Sequence, residues 1–197
     1  MKSTIKKLRK YSFIDLFLYA TSLLFSKQYY CNRNIFQWPY TIRNIRRIKL
    51  GKYIKASPYF FAESHNQGEI TINNGCIFNR SAYITCSDSI IIGRDCLFGP
   101  NLFLSDHDHG SYFENEEQKL LSKPVSRTLK SKPVRIGKCV WVGSNVCILK
   151  GVSIGDGCII GSNSVVTKSI PKGSMVVGSP ARIIKKHKKG KWKKINE

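Results

Sequence analysis

From Ile136 onward a branched aliphatic residue falls on every sixth position: Ile136, Val142, Ile148, Ile154, Ile160 and Val166. Glycine follows four of these six, at Gly137, Gly143, Gly155 and Gly161. Small or β-branched residues sit four places after each beat, at Val140, Val146, Val152, Cys158, Ser164 and Ile170. A helix repeats its apolar positions at about 3.6 residues and a strand at two, so neither gives this spacing. A parallel β-helix of hexapeptides does. Each hexapeptide makes one flat side with one residue turned into the core, and the turn between sides favours Gly or Asn, which tolerate positive φ. The beat also runs upstream through Ile72, Phe78, Ile84 and Ile90, then through Ile92, Phe98 and Leu104 in a register shifted by two. That shift predicts a two-residue insertion at a corner. Leu50-Gly51 with Ile54 is an earlier echo and places the expected start near residue 48.

Between Leu104 and Val134 the beat stops. The excursion, residues 105–133, opens with Asp106-His107-Asp108-His109-Gly110. A loop carried out of a rigid stack is where a site is shaped. Two histidines two residues apart are surface residues, a metal pair or an acid/base site. A metal needs at least one further ligand, and the other histidines are His65 and His187, the latter in a basic tail; a neighbouring copy in a trimer would have to supply the rest. The acid/base reading is preferred. An imidazole that titrates near neutrality takes the proton of a sugar hydroxyl as its oxygen attacks a thioester. Asp106 and Asp108 are placed to fix the ring tautomer and stabilise the imidazolium. General-base catalysis of this kind contributes about 10²–10⁴-fold, with positioning and an amide donor to the oxyanion supplying the remainder.

The 197 residues hold one repeat domain plus end pieces: a helical and basic segment over 1–47, the β-helix over 48–184 and a basic tail over 185–197. No run reaches the roughly 18 apolar residues needed to cross a bilayer. The stretch Phe13 to Phe25 holds Asp15, Thr21 and Ser22 and follows Lys6, Lys7, Arg9 and Lys10. It resembles a secretory signal at first sight, but bulky Tyr29 and Tyr30 follow where small residues would mark cleavage. It is expected to form an N-terminal helix, either packed on the first coil or lying on a membrane surface. The seven cysteines include no CxxC pair, which fits small buried residues in a reducing, cytoplasmic compartment. The net charge of +21 collects in the first ten residues, in Arg43 to Lys55 and in Lys185 to Lys194. The tail is either a solvated end or a tether to anionic lipid or an anionic substrate. No nucleic-acid module accompanies it, so no nucleic acid is expected as a partner.

The segments LFLSDHDHG, VRIGKCVWVGSNVCILKGVSIGDGCIIGSNSVVTKSIP and VVGSPARIIKK resemble the hexapeptide-repeat O-acetyltransferases. The likeness is strongest to those acting on O-antigen, capsule and colanic acid, with maltose O-acetyltransferase more distant. It covers residues 70–187. The resemblance implies an all-β, left-handed parallel β-helix, a homotrimer, acetyl-CoA as donor, no metal, and direct transfer to a saccharide hydroxyl. The family's catalytic histidine falls in DHDHG, at His107 by the alignment of single-histidine relatives, with His109 as the alternative and Asp106 beside it. Trp141 matches a tryptophan bordering the site, unless it only packs outside the coil. Asn79 matches an acceptor-binding asparagine, or is simply an asparagine at a repeat corner. The CoA-binding positions carry over to Gly143, Ser144, Gly161, Ser162, Thr167, Lys168, Arg182 and Lys185. Rival readings are an N-acetyltransferase on an amino-sugar nucleotide, a trimeric zinc enzyme of this fold, and a binding module run by the basic ends. A cytoplasmic enzyme, peripheral at the inner face of an anionic membrane, is the expected setting.

Overall fold

Strands only two to five residues long form the walls of the stack, and each turns an apolar side chain inward onto the same position of the next coil. In the computed structural model, which describes residues 33–111 and 121–195 with Phe17 alone ahead of them, the result is a left-handed parallel β-helix with three sides. The first side stacks Ile35–Phe36, Lys55–Ala56, Ile77–Phe78, Leu97–Phe98, Trp141–Val142, Ile159–Ile160 and Ser174–Val177. The second stacks Tyr40–Arg43, Phe60–Ser64, Tyr83–Cys86, Phe103–Ser105, Cys147–Ile148 and Val165–Val166. The third stacks Ile48–Leu50, Glu69–Ile72, Ser89–Ile92, Val134–Ile136 and Ser153–Ile154. The first corner joins sides one and two, the second joins two and three, and the third closes the coil.

All six beat residues from Ile136 to Val166 are buried, and so are the residues four places on. Toward the N-terminus the core is wider and filled with rings: Phe78 stacks on Phe98 at 4.7 Å and meets Phe60 edge-on at 5.2 Å. The beat therefore carries the hydrophobic energy, while register is held by hydrogen bonds from one coil to the next, such as Gly99 N–H to the Val142 carbonyl at 2.8 Å.

The glycines after the beat do a different job from the one expected. None of Gly137, Gly143, Gly155 and Gly161 has positive φ; the left-handed residues fall two places later, at Cys139, Asn145, Gly157 and Asn163. The glycines are there because coils approach closely: a Cβ on Gly99 would lie 2.6 Å from the Gly143 carbonyl carbon.

Both ends differ from the sequence expectation. The stack already includes Ile35–Phe36 and Tyr40–Arg43, ahead of residue 48, because Phe36, Ile42, Ile48 and Ile54 carry the beat among basic neighbours that disguise it. The basic tail is a folded hairpin: Arg182–Lys188 runs antiparallel to Ser174–Val177 and then pairs with Lys191–Lys194. The expected N-terminal helix and Cys31 lie outside the described residues. Among the described residues no helix is long and apolar enough to cross a membrane.

Replacing Phe98 by Ala removes a ring stacked in a closed core. A loss of about 3–5 kcal/mol of stability is expected, read from the shift of the urea midpoint against the parent chain.

Candidate active site

Residues beyond the six-residue beat collect at the second corner. There the chain inserts a 3₁₀ turn at Ile45–Arg47, the turn 65–68, the two extra residues predicted between Ile84 and Ile92, and the whole excursion. The excursion does not start as an irregular loop. His107–His109 pairs antiparallel with Leu129–Ser131, His107 opposite Ser131 and His109 opposite Leu129, so DHDHG is the first strand of a ribbon leaving the stack. Its base is tied down by Lys132 N–H to the Asp106 carbonyl at 2.8 Å. Lys150, from a later coil, adds an ion pair to Asp108 at 2.7 Å and a bond to the Lys130 carbonyl at 3.2 Å. Asp108 therefore anchors the ribbon and does not orient a histidine.

Asp106 is fully buried. Its carboxylate accepts the backbone N–H of Ser87 at 2.8 Å, Asp88 at 2.8 Å and Ser89 at 2.9 Å, and the Cys86 thiol at 3.2 Å. The remaining contact is Nδ1 of His107, 2.9 Å from Oδ1. Burial pushes the Asp106 carboxyl up. The His107 ring, the Asp88 and Ser87 amides and the Cys86 thiol together outweigh it, and Asp106 titrates below the ordinary carboxylate range. The Cys86 thiol is pushed the other way, first by burial and then by the Asp106 charge, so it stays protonated and donates. An ionised Asp106 requires the proton on Nδ1 of His107 and leaves the Nε2 lone pair as the ring's basic site. The His107 side chain is 8% exposed. His109, next along the ribbon, is exposed, with its ring 6.5 Å from that of His107.

A third imidazole joins them. His65 meets His107 edge-to-face at 5.6 Å, and Glu63 lies 3.6 Å from its Nε2. Sequence reasoning gave His65 no role. The available signal was its place in the enlarged turn after Phe60–Ser64, at the same corner as DHDHG. Among the described residues no group of three or more His, Cys, Asp or Glu side chains is arranged to hold a metal.

The other expected residues divide between places. Thr167 and Lys168 share the second corner with His107, further along the stack, and are exposed. Gly143, Ser144, Gly161 and Ser162 lie at the first corner, where the Ser162 hydroxyl accepts the Ser144 N–H at 3.1 Å. Asn79 is also there. Its side chain and its own N–H both donate to the Phe98 carbonyl at 3.0 Å, and Asn73 makes the same double contact with Ile92 at another corner. Asn79 thus serves as a corner asparagine in the single chain. Trp141 faces outward on the first side, 54% exposed. Arg182 and Lys185 are on the strand that extends that side. Lys168, Arg182 and Lys185 pair with no carboxylate among the described residues. One chain brings together Asp106, His107 and His109, with Thr167 and Lys168 along the same corner, but does not bring the first-corner set to them.

The bacterial transferase hexapeptide model, of six repeats, matches residues 133–168. A putative lipopolysaccharide biosynthesis O-acetyl transferase of Escherichia coli K12, WbbJ, is 33% identical over 193 residues, 96% of this chain and 98% of that protein. The chain belongs to the hexapeptide-repeat acetyltransferases. Galactoside O-acetyltransferase of the same organism is 34% identical over 65% of this chain and 58% of its own length. Among solved structures, the polysialic acid O-acetyltransferase OatWY is 30% identical with a TM-score of 0.61, over 75% of this chain and 68% of its own. The N-acyltransferase AntD of Bacillus cereus shares the fold at a TM-score of 0.68 and 18% identity, over 79% of this chain and 81% of its own.

The depressed titration of Asp106 has a defined consequence for this acetyltransferase. A carboxyl whose folded pKa is lowered contributes stability that is complete above its unfolded value and is lost as pH falls through the lower folded value. Asp106→Asn is expected to be less stable at neutral pH, by about 1.5–3 kcal/mol for each charge-assisted bond lost. Its stability is also expected to fall less steeply between neutral and strongly acidic pH than that of the parent, as read from urea midpoints across that range.

Proposed function

We propose that the chain transfers the acetyl group of acetyl-CoA to a sugar hydroxyl of a cell-surface polysaccharide or its precursor. The observation that carries this reading is the Asp106–His107 pair, in which a buried carboxylate holds Nδ1 and leaves Nε2 as the base. His107 Nε2 takes the hydroxyl proton as the sugar oxygen bonds to the thioester carbonyl carbon. The carbon–sulfur bond then breaks, and the imidazolium returns the proton to the departing thiolate. Asp106 stabilises the imidazolium between these steps. The acceptor class is supported by the relatives, whose names specify lipopolysaccharide biosynthesis, galactoside and polysialic acid.

The donor's phosphates need cations, and Lys168, Arg182 and Lys185, which have no carboxylate partner among the described residues, are placed to meet them. The pantetheine arm needs backbone groups, which the corners at Gly143–Ser144 and Gly161–Ser162 would supply. A homotrimer would complete the groove. The first side carries an outward ladder of Ile77, Leu97 and Trp141, and the second an outward ladder of Phe61, Tyr83 and Phe103, whose Phe61 and Tyr83 rings stack at 4.5 Å. One apolar side for each neighbour is what a closed ring of heterologous contacts requires. It would lay the first side of one copy, with its tryptophan and cations, along the second side and His107 corner of the next. Contact with an anionic membrane, the other expected partner, would lie outside this corner, and acyl transfer does not depend on it.

Acetyl-CoA consumption against a panel of oligosaccharides and nucleotide sugars, with mass spectrometry of the product, tests the reading. His107→Ala is expected to lose about 10²–10⁴-fold in rate while still folding and keeping its acetyl-CoA affinity, and His109→Ala to lose far less. The reverse order would make His109 the base. Acetylation confined to amino groups would overturn O-transfer. Sedimentation equilibrium at micromolar concentration is expected to give a trimer; a fully active monomer would refute the shared groove.

A further inference from the structure

The C-terminal hairpin is unusual for what it places side by side. Residues 182–194 contain seven lysines and one arginine and no Asp or Glu. The turn is tight, with Lys189 at φ 47° and Gly190 at φ 77°. Its register sets Lys186 opposite Lys193 and Lys188 opposite Lys191. Residues two apart on a strand share a face, so these four lysines form one charged patch. Like charges directly opposite each other across a strand pair are destabilising, and lysine is depleted in strands. Among the described residues no carboxylate pairs with any of the four. Elsewhere some of the chain's cations are paired: Lys49 with Glu69 at 2.9 Å, Arg94 with Asp95 at 2.7 Å and Lys150 with Asp108 at 2.7 Å. The hairpin gives up that compensation, and an external polyanion would restore it.

The shape of the patch selects the polyanion. Lys186, Lys188, Lys193, Lys194 and Ile195 line a shallow depression of about 660 Å³. Exposed Ile184 and Ile195 lie on the hairpin or directly after it, whereas Trp192, paired with His187 at 5.3 Å, is on the opposite face. Lysine ammoniums at the level of lipid phosphates, with aliphatic side chains beside them, suit the headgroup region of a bilayer. The hairpin lies beyond the last coil, whereas His107 sits in the middle of the stack, so a surface bound there leaves the second corner open.

We propose that the lysine face of the C-terminal hairpin, Lys186, Lys188, Lys191 and Lys193, docks the protein on an anionic lipid bilayer through its phosphate headgroups. None of the four belongs to the acyl-transfer set, and Lys185 and Arg182 are left out because they are assigned to the donor phosphates. Binding is measured without acetyl-CoA or acceptor, so its outcome is independent of the O-acetyltransfer reading. The full chain is co-sedimented with vesicles of phosphatidylcholine alone and of phosphatidylcholine with phosphatidylglycerol, at low and physiological salt. The same is done with a variant carrying Lys186→Gln, Lys188→Gln, Lys191→Gln and Lys193→Gln. Glutamine is one atom shorter but stays polar and removes the repulsion, so the hairpin should form in the variant; an unchanged melting temperature checks this.

The parent is expected to bind only the phosphatidylglycerol vesicles, more weakly as salt rises. The variant should bind them roughly two to three orders of magnitude more weakly, at about 1 kcal/mol per lysine near the surface, with acetyl transfer to a soluble acceptor unchanged. Equal binding by parent and variant, or none by the parent, would overturn the proposal. So would tighter binding of the parent to a DNA oligonucleotide or a sulfated polysaccharide than to the vesicles at the same salt, because the face would then serve another polyanion.

Discussion

Coil-to-coil register is the constraint from which the rest of this molecule follows. Every side must deliver its inward residue over the one in the coil before, and coils meet so closely that a Cβ on Gly99 would strike the Gly143 backbone. A side therefore cannot absorb an extra residue, because a one-place slip would turn its inward side chain to solvent. Insertions are admissible only at corners. The first corner carries an asparagine ladder in which Asn101 donates to Asn145 at 2.8 Å and Asn145 to Asn163 at 3.0 Å. The second corner takes the insertions.

Two departures from the beat that look unrelated in the sequence are halves of one device. The extra residues before Ile92 turn the Ser87, Asp88 and Ser89 amides toward a single point, and the break after Leu104 delivers the Asp106 carboxylate to that point. Burying a lone carboxylate costs several kcal/mol, and charge-assisted bonds from amides are what offset it. The remaining contact of the carboxylate fixes His107. A rigid stack thus positions the proposed general base without a long supporting loop, and Lys150 holds the ribbon on the other side through Asp108.

The stack was legible because each repeat makes the same contact, so one rule recurs along the chain and accidental agreement is excluded. Asp106 and His107 were legible because they interrupt that rule. His65 was not, because its approach to His107 depends on coils of unequal length bringing their corners together. The role of the glycines was misassigned for a related reason: close approach between coils and positive φ both select glycine, and sequence alone does not separate them. Asn79 shows the same degeneracy, since a corner bond and a ligand bond use the same amide. The hairpin was hidden by composition. A lysine-rich end reads as solvated chain, and its pairing depends on the open edge of Ser174–Val177, which is a property of the finished stack.

The net charge of +21 takes on a different meaning once its cations are sorted by partner. On the walls, Arg43 faces Glu63, Arg47 and Lys49 share Glu69, and Lys138 approaches Asp156. Exposed pairs of this kind contribute little to stability, about 0–1 kcal/mol each, and they offset only part of the basic excess of the walls. At the hairpin the cations face one another. Excess charge spread along the walls favours solubility, whereas the hairpin sets its lysines on one face with no Asp or Glu between residues 182 and 194. The hairpin lies beyond the last coil and His107 in the middle of the stack, so attraction to a large anionic body and the acceptor access proposed at His107 involve different surfaces.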